Sequence, residues 1–300
     1  RTNLLAMQTP QGARRDLLLK AHLTVNEEVT DDIELIDRLG QPYEIVGGDP
    51  RNIKITSPRD TDAFLVREVE KFRTVVRDAG IKIGVRFTLT QYNQHDLEEL
   101  LALTEREHID KFYLSHLNYG GRGNVNRGHD ALHAATRRAM DLIFDTCWND
   151  FERGREREFV TGNNDADGVY LLHWVRRLFP QKEAHLRAKL AQWGGNASGV
   201  NVANIDNLGN VHPDTFWWHH TIGNVRTRPF SAIWPDTSDP LMAGLKASPR
   251  RIKGRCGACS YFDVCGGNTR VRAQQLSGDA WQEDPGCYLS DEELGIAGAV

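Results

Sequence analysis

Hydrophobic positions along the chain recur at two periods, and the period switches several times between residues 65 and 193. Leu65, Val69, Phe72, Val75 and Val76 fall at helical spacing and run out at Ala79-Gly80, where glycine is a usual helix C-terminal signal. Residues 81–90 (IKIGVRFTLT) are β-branched and alternating, as a strand requires. Residues 96–107 return to helical spacing with Leu97, Leu100, Leu101 and Leu103. Residues 111–116 (KFYLSH) predict a second strand that ends in a loop rich in Gly and Asn, 118–124. A long helix is expected over roughly 128–158, followed by helices near 166–179 and 182–193. Helix, strand, helix, strand, helix is the pattern of right-handed βα units on a parallel sheet, so the fold class is α/β.

The flanks read differently. Residues 1–64 carry a short helix around 16–20 and a strand running into a turn at 45–50. The rest is polar, broken by Pro42, Pro50 and Pro58, and no architecture is assigned to it. Residues 200–206 alternate, 207–210 make a turn and 211–218 resume an extended pattern, which predicts a β-hairpin. Residues 230–245 read as loop then short helix, and 246–300 form a cysteine-bearing tail.

Composition narrows the class. The 300 residues are 40% hydrophobic, enough for a sizeable core in one large or two smaller domains. A net charge of −4, from 37 basic and 41 acidic residues, argues against a nucleic-acid partner. Mean hydropathy is −0.51 and there is no long apolar run, so no membrane span is expected. The first residues show no apolar core of a secretory signal. An opening Arg in place of Met is what a fragment or an unusual gene boundary would give.

Cysteine placement changes the picture most. Of five cysteines, Cys147 stands alone and four sit in the tail as Cys256-x2-Cys259-x5-Cys265-x21-Cys287. A long chain that is poor in cysteine overall and rich in it at one place points to a reducing, cytoplasmic compartment and a metal or cluster site. Two thiolates separated by two residues can bind one centre from a single turn. Small residues at Gly257 and Ala258, and Gly266-Gly267 after Cys265, allow the backbone to approach closely. Four thiolates suit tetrahedral zinc or an iron–sulfur cluster. The irregular spacing favours a cluster, whose iron atoms offer separate attachment points. Cys147, among Leu142, Ile143 and Phe144, reads as a small core hydrophobe.

The tail carries a resemblance. Cys256-Gly-Ala-Cys259-Ser-Tyr-Phe-Asp-Val-Cys265-Gly-Gly-Asn-Thr-Arg270, then Gly278-Asp279-Ala-Trp281 and Asp284-Pro285-Gly-Cys287-Tyr288, resembles the SPASM-type C-terminal extension of radical-SAM enzymes, in particular the heme d1 biosynthesis branch. GIKIGVRFTLTQYN (80–93), DKFYLSHLNYGGRGN (110–124), residues 201–218 and residues 224–234 resemble the same family, so the likeness covers roughly residues 66–292. It implies the C-terminal portion of a radical-SAM (β/α) partial TIM barrel over 65–193 and a small Cys-rich SPASM-like domain over 194–300, with 1–64 outside the match.

What the resemblance implies is an oxidoreductase-type tetrapyrrole maturase. Such an enzyme removes propionate side chains from 12,18-didecarboxysiroheme through a 5′-deoxyadenosyl radical, with a small electron-transfer protein as reductant. An auxiliary [4Fe–4S] cluster carries over onto Cys256, Cys259, Cys265 and Cys287. Thr88, Thr90 and Asn93 fall in the family's S-adenosyl-L-methionine region. His116, Asn118, Tyr119 and Arg122, at a strand's C-terminal end where barrel ligands bind, are the substrate candidates. Arg122 and Arg127 could pair with ligand carboxylates or be solvated surface charges.

One feature departs from the family. Radical-SAM enzymes hold their first cluster with a Cys-x3-Cys-x2-Cys loop, and no cysteine precedes Cys147. S-adenosyl-L-methionine and a second [4Fe–4S] cluster are therefore expected only if a further N-terminal half is supplied. Gly47-Gly48-Asp49-Pro50 is similar to the family's Gly-Gly-Glu-Pro motif but lies too close to the 80–90 strand, and reads as a turn. The alternatives are a diverged, non-catalytic cluster or tetrapyrrole binder, and a structural zinc domain. His219-His220 reads as a polar hairpin end. Arg153, Arg155 and Arg157 with Glu152, Glu156 and Glu158 read as a solvated helix face.

Overall fold

The computed structural model describes residues 15–25, 32–42 and 82–296. The turn at 45–50 and the helix beginning at Leu65 lie outside the described residues. The chain divides into two compact units, one of residues 1–81 with 206–209, the other of 82–205 with 210–300. In the first, α1 (Arg15–Thr24) and α2 (Asp32–Arg38) bury Ala21, Leu35 and Ile36 against Leu17, Leu18 and Leu39.

The second unit is built on a parallel sheet in the order β1 (Gly84–Leu89), β2 (Lys111–His116), β3 (Glu158–Gly162). Gly84 pairs with Lys111 and Leu89 with His116; Lys111 pairs in turn with Glu158 and Ser115 with Gly162. The amide of Ile83 donates to Asp110 Oδ2 at 2.8 Å, pinning the entry of β1 against the start of β2. Helices α3 (Leu97–Arg106), α4 (His133–Glu152) and α5 (Ala166–Leu178) follow the three strands, and α6 (Glu183–Trp193) follows α5. Central β2 buries Phe112 and Leu114 completely. They pack with Leu89, Leu101, Met140, Ile143, Val169 and Leu172 in one core that continues into Tyr261, Val264, Tyr288 and Leu289 of the tail. The tail is therefore part of the core that covers the sheet.

Two expectations are corrected here. The long helix stops at Glu152, because Gly154 takes a left-handed φ of 68° and ends it. The residues after it lead into β3, so the charged run leaves the helix; Glu152, Arg153, Arg155, Glu156 and Glu158 are exposed as expected, and only Arg157 turns inward. Arg157 is buried, with Nε on Asp150 Oδ2 at 2.7 Å and Nη1 on Thr104 Oγ1 at 2.8 Å. Glu158 opens the strand and accepts from Lys111 at 2.8 Å. Cys147 is exposed and outside the core; at that level of α4, Phe144 packs on Tyr170 and Trp174 instead.

The hairpin is a short antiparallel meander, β4 (Asn204–Ile205), β5 (Asn210–His212) and β6 (Gly223–Asn224). The extended run leaves the sheet after His212, and Trp217 turns inward to pack with Val271 and Ala280. Helix α7 (Pro240–Lys246) is capped by Asp239, which accepts from the Met242 amide at 2.9 Å. The tail then runs through single-turn helices Gly254–Ala258 and Phe262–Cys265 into α8 (Arg270–Ser277).

Candidate functional site

Two compartments lie side by side. The first is a small cavity of about 20 Å³ lined by all four tail cysteines, together with Ala166, Val169, Phe262, Leu289 and Leu294. The turn Gly254–Ala258 presents Cys256 and, at its end, Cys259, the turn Phe262–Cys265 presents Cys265, and Cys287 arrives from a turn after α8. Glycines allow this convergence. Gly266 and Gly267 take left-handed φ values of 61° and 83° directly after Cys265, and a Cβ on Gly195 would collide with the Cys265 carbonyl. The Tyr261 amide donates to Cys259 Sγ at 3.3 Å, as backbone N–H groups around bound thiolates do.

All four thiols are unpaired in disulfides. Burial pushes their pKa values up, Cys265 furthest and Cys287 to about 11, so a cation is what would hold them as thiolates. Among the described residues no three His, Cys, Asp or Glu side chains are gathered closely enough to hold one metal ion. Four sulfurs spread round an apolar cavity suit the several irons of a cluster better than the single centre of a zinc site.

The second compartment is an open cleft of about 350 Å³ at the C-terminal ends of the parallel strands. Gln91 reaches it from the end of β1, His116 from β2 and Asn164 from the end of β3; Asp130, His133 and Arg272 complete the polar wall. Asn163, with φ 67°, turns the chain out of β3 and ties it back through Nδ2 to Ser115 Oγ at 3.0 Å. His116 Nε2 lies 2.9 Å from Asp167 Oδ2, and Tyr288 Oη donates to Asp167 Oδ1 at 2.9 Å. Tyr119 Oη donates to Asp130 Oδ2 at 3.1 Å. Burial raises the pKa of Asp130, opposed chiefly by Arg272, and burial together with Asp130 raises that of Tyr119.

The wall between the compartments is one layer of side chains. Arg272, on the cleft, meets Asp284, on the cysteine cavity, through two 2.9 Å bonds, both side chains fully buried. Asp284 also accepts from the Thr269 and Gly286 amides, and Arg272 donates to the Asn163 carbonyl at 2.8 Å. Beside them Asn268, on the cavity, donates to Asn164, on the cleft, at 2.5 Å.

Of the substrate candidates, His116 and Tyr119 line the cleft. Asn118 is buried with its Oδ1 on the Tyr119 amide and no partner for Nδ2, and Arg122 is exposed outside the cleft lining, where Arg127 stands instead. Thr88, Thr90 and Asn93 come together at the end of β1. Asn93 Oδ1 accepts from the Thr90 amide and hydroxyl, and its Nδ2 donates to the Thr88 carbonyl at 3.0 Å. His219 and His220 bond to Gln274 and Asp239 away from both compartments. Sequence reasoning missed Asp130, Asp167, Arg272 and Asp284. Arg272 and Asp284 flank the cysteine motif, but nothing local distinguishes them from surface charges.

A parallel sheet with a cleft at its strand ends and a cysteine tail on its core is an architecture shared with radical-SAM enzymes. The S-adenosylmethionine-bound crystal structure of SuiB from Streptococcus suis superposes with a TM-score of 0.50 at 19% identity, over 73% of this chain and 48% of that one. Native anSMEcpe with bound AdoMet and the Cp18Cys peptide gives 0.50 at 14% identity, over 77% and 59%.

The sequence relatives are nearer. Pre-heme d1 synthase of Dinoroseobacter shibae is 58% identical over 220 residues, 73% of this chain and 54% of that protein. Fe-coproporphyrin III synthase of Methanosarcina barkeri is 41% identical over 222 residues, 73% and 56%. The resemblance read in the tail motif is thus borne out, and the chain spans about half the length of the curated relatives it matches. Residues 1–67 match a different family, IspD, 2-C-methyl-D-erythritol 4-phosphate cytidylyltransferase. The Deinococcus radiodurans protein of that name is 49% identical over 63 residues, 20% of this chain and 27% of that protein. Among the described residues, no helix is long and apolar enough to cross a membrane.

Proposed function

We propose that this chain carries the substrate-side portion of a radical-SAM enzyme that alters the carboxylate-bearing side chains of an iron tetrapyrrole, in the manner of pre-heme d1 synthase. The observation that carries this reading is the convergence of Cys256, Cys259, Cys265 and Cys287 on one cavity within a chain 58% identical to pre-heme d1 synthase over 220 residues. In this reading residues 65–193 supply barrel units and 194–300 the cluster-binding domain. The four cysteines hold an auxiliary [4Fe–4S] cluster, which supplies a redox-active centre beside the substrate cleft.

The chain's own residues have distinct tasks. The cleft at the strand ends takes the macrocycle, with His116 and Tyr119 on its wall and Arg127 at its rim. Asn118 braces the loop that carries Tyr119 by accepting from its amide. The turn fixed by Thr88, Thr90 and Asn93 holds the strand end that faces S-adenosyl-L-methionine. The radical step itself belongs to a molecule that also supplies a Cys-x3-Cys-x2-Cys loop, and draws its electron from a small electron-transfer protein in the cytoplasm. The segment matching IspD stands apart from this chemistry.

Iron and acid-labile sulfide per chain after anaerobic reconstitution test the proposal. About four of each is expected for one [4Fe–4S] cluster, and Cys259→Ala should lose them. Zinc without sulfide would overturn the cluster assignment in favour of a structural zinc domain.

A further inference from the structure

The cleft contains two imidazoles, and each has already committed one nitrogen. His133 Nε2 donates to the Pro285 carbonyl at 2.9 Å, on an exposed ring at the start of α4. His116 is different. Its ring is 6% exposed, stacks on Tyr288 at 6.4 Å with 19° between planes, and bonds through Nε2 to a carboxylate that is itself 4% exposed. Because the Tyr288 hydroxyl already donates to one Asp167 oxygen, the other oxygen is left to accept, and His116 Nε2 carries the hydrogen. Nδ1 is then the ring atom left for the cleft that His116 lines. A buried carboxylate behind an imidazole fixes its tautomer and orientation and stabilises its protonated form.

We propose that His116 is the carboxylate-reading residue of the cleft, with Asp167 and Tyr288 positioning it. This rests on the tetrapyrrole reading above and names the ligand group recognised. The ligand carboxylate, already ionised in neutral solution, accepts from Nδ1–H of the imidazolium, whose proton is taken from solvent; no electron moves and no other bond breaks. Asp167 balances the imidazolium charge from behind. Arg127 at the rim and Arg272 in the wall, the latter paired with Asp284, are the guanidinium groups of the cleft, and Asp130 is its carboxyl group. The titratable and charged groups facing His116 are Asp167 on α5, Tyr288 in the tail, Asp130 and Tyr119 from the loop between β2 and α4, and Arg272 on α8.

Absorbance titration of the full chain with iron coproporphyrin III, and with its tetramethyl ester, separates the outcomes. The acid should bind more tightly than the ester. His116→Gln should weaken the acid about tenfold and leave the ester unchanged, so the ester also reports that the variant is folded. Asp167→Asn, which keeps the shape and drops the charge, should also weaken the acid and leave the ester unchanged. Tyr288→Phe should weaken the acid less than His116→Gln does. If the acid and the ester bind wild type equally, or His116→Gln keeps the wild-type ratio, His116 does not read the carboxylate, and the tetrapyrrole reading survives. If neither porphyrin binds, both readings fall.

Discussion

Arg272 and Asp284 form a fully buried bidentate pair; Asp284 also accepts from the Thr269 and Gly286 amides, and Arg272 donates to the Asn163 carbonyl. Removing one partner strands the other charge without solvent. Asp284→Ala should therefore cost about 3–5 kcal/mol in urea unfolding. Arg272→Met combined with Asp284→Leu should recover part of that loss.

The Arg137–Glu293 pair behaves otherwise. Glu293 accepts from both guanidinium arms at 2.7 and 2.8 Å, and Arg137 is what lowers its pKa to about 2. A carboxyl depressed on folding stabilises above its unfolded value of about 4.3 and loses that contribution as pH falls through about 2. Glu293→Gln should thus be less stable than wild type by about 1 kcal/mol or less at neutral pH, since the pair is partly exposed. The gap should close between about pH 4.5 and about pH 2, as thermal melts across that range would show. At this scale legibility was uneven. The four cysteines declare themselves by spacing, and His116 by standing at the end of an alternating strand. Asp167 lies 51 residues from the imidazole it orients, and no local pattern links the two.

Among elements, glycines test two different constraints. Gly278 ends α8 at φ 79° with open space around it, so Gly278→Ala should cost only the left-handed penalty, about 1 kcal/mol, with iron loading unchanged. Gly195→Ala meets the Cys265 carbonyl directly and should lower iron content after reconstitution as well as stability. Strands β1 and β2 were readable because β-branched and aromatic residues alternate through them. Strand β3 was not, because Glu158-Phe159-Val160-Thr161-Gly162 is short and follows a charged run that continues the helical pattern of α4. The ion pair between Asp150 and Arg157 that folds this run back is a tertiary contact without sequence signature. The meander shrank for a related reason: Trp217 gains more by burial against Val271 than by extending β5.

At the scale of the molecule, α/β class and a cysteine tail were both visible in the pattern of residues. That the tail shares the core of the sheet was not, since Tyr261, Val264, Tyr288 and Leu289 are scattered among polar positions and only their packing on α5 and the sheet unites them. The single layer of side chains between the cysteine cavity and the cleft has a practical bearing on how this protein can be altered. A change made to empty one chamber moves the furniture of the other: Asp284 and Asn268 face the sulfurs while gripping Arg272 and Asn164, which face the ligand. Loss of ligand binding in a variant of this wall is informative only beside its iron content, and an engineered preference for a new ligand is better sought at lining residues that take no part in the wall, such as Gln91 or Leu132.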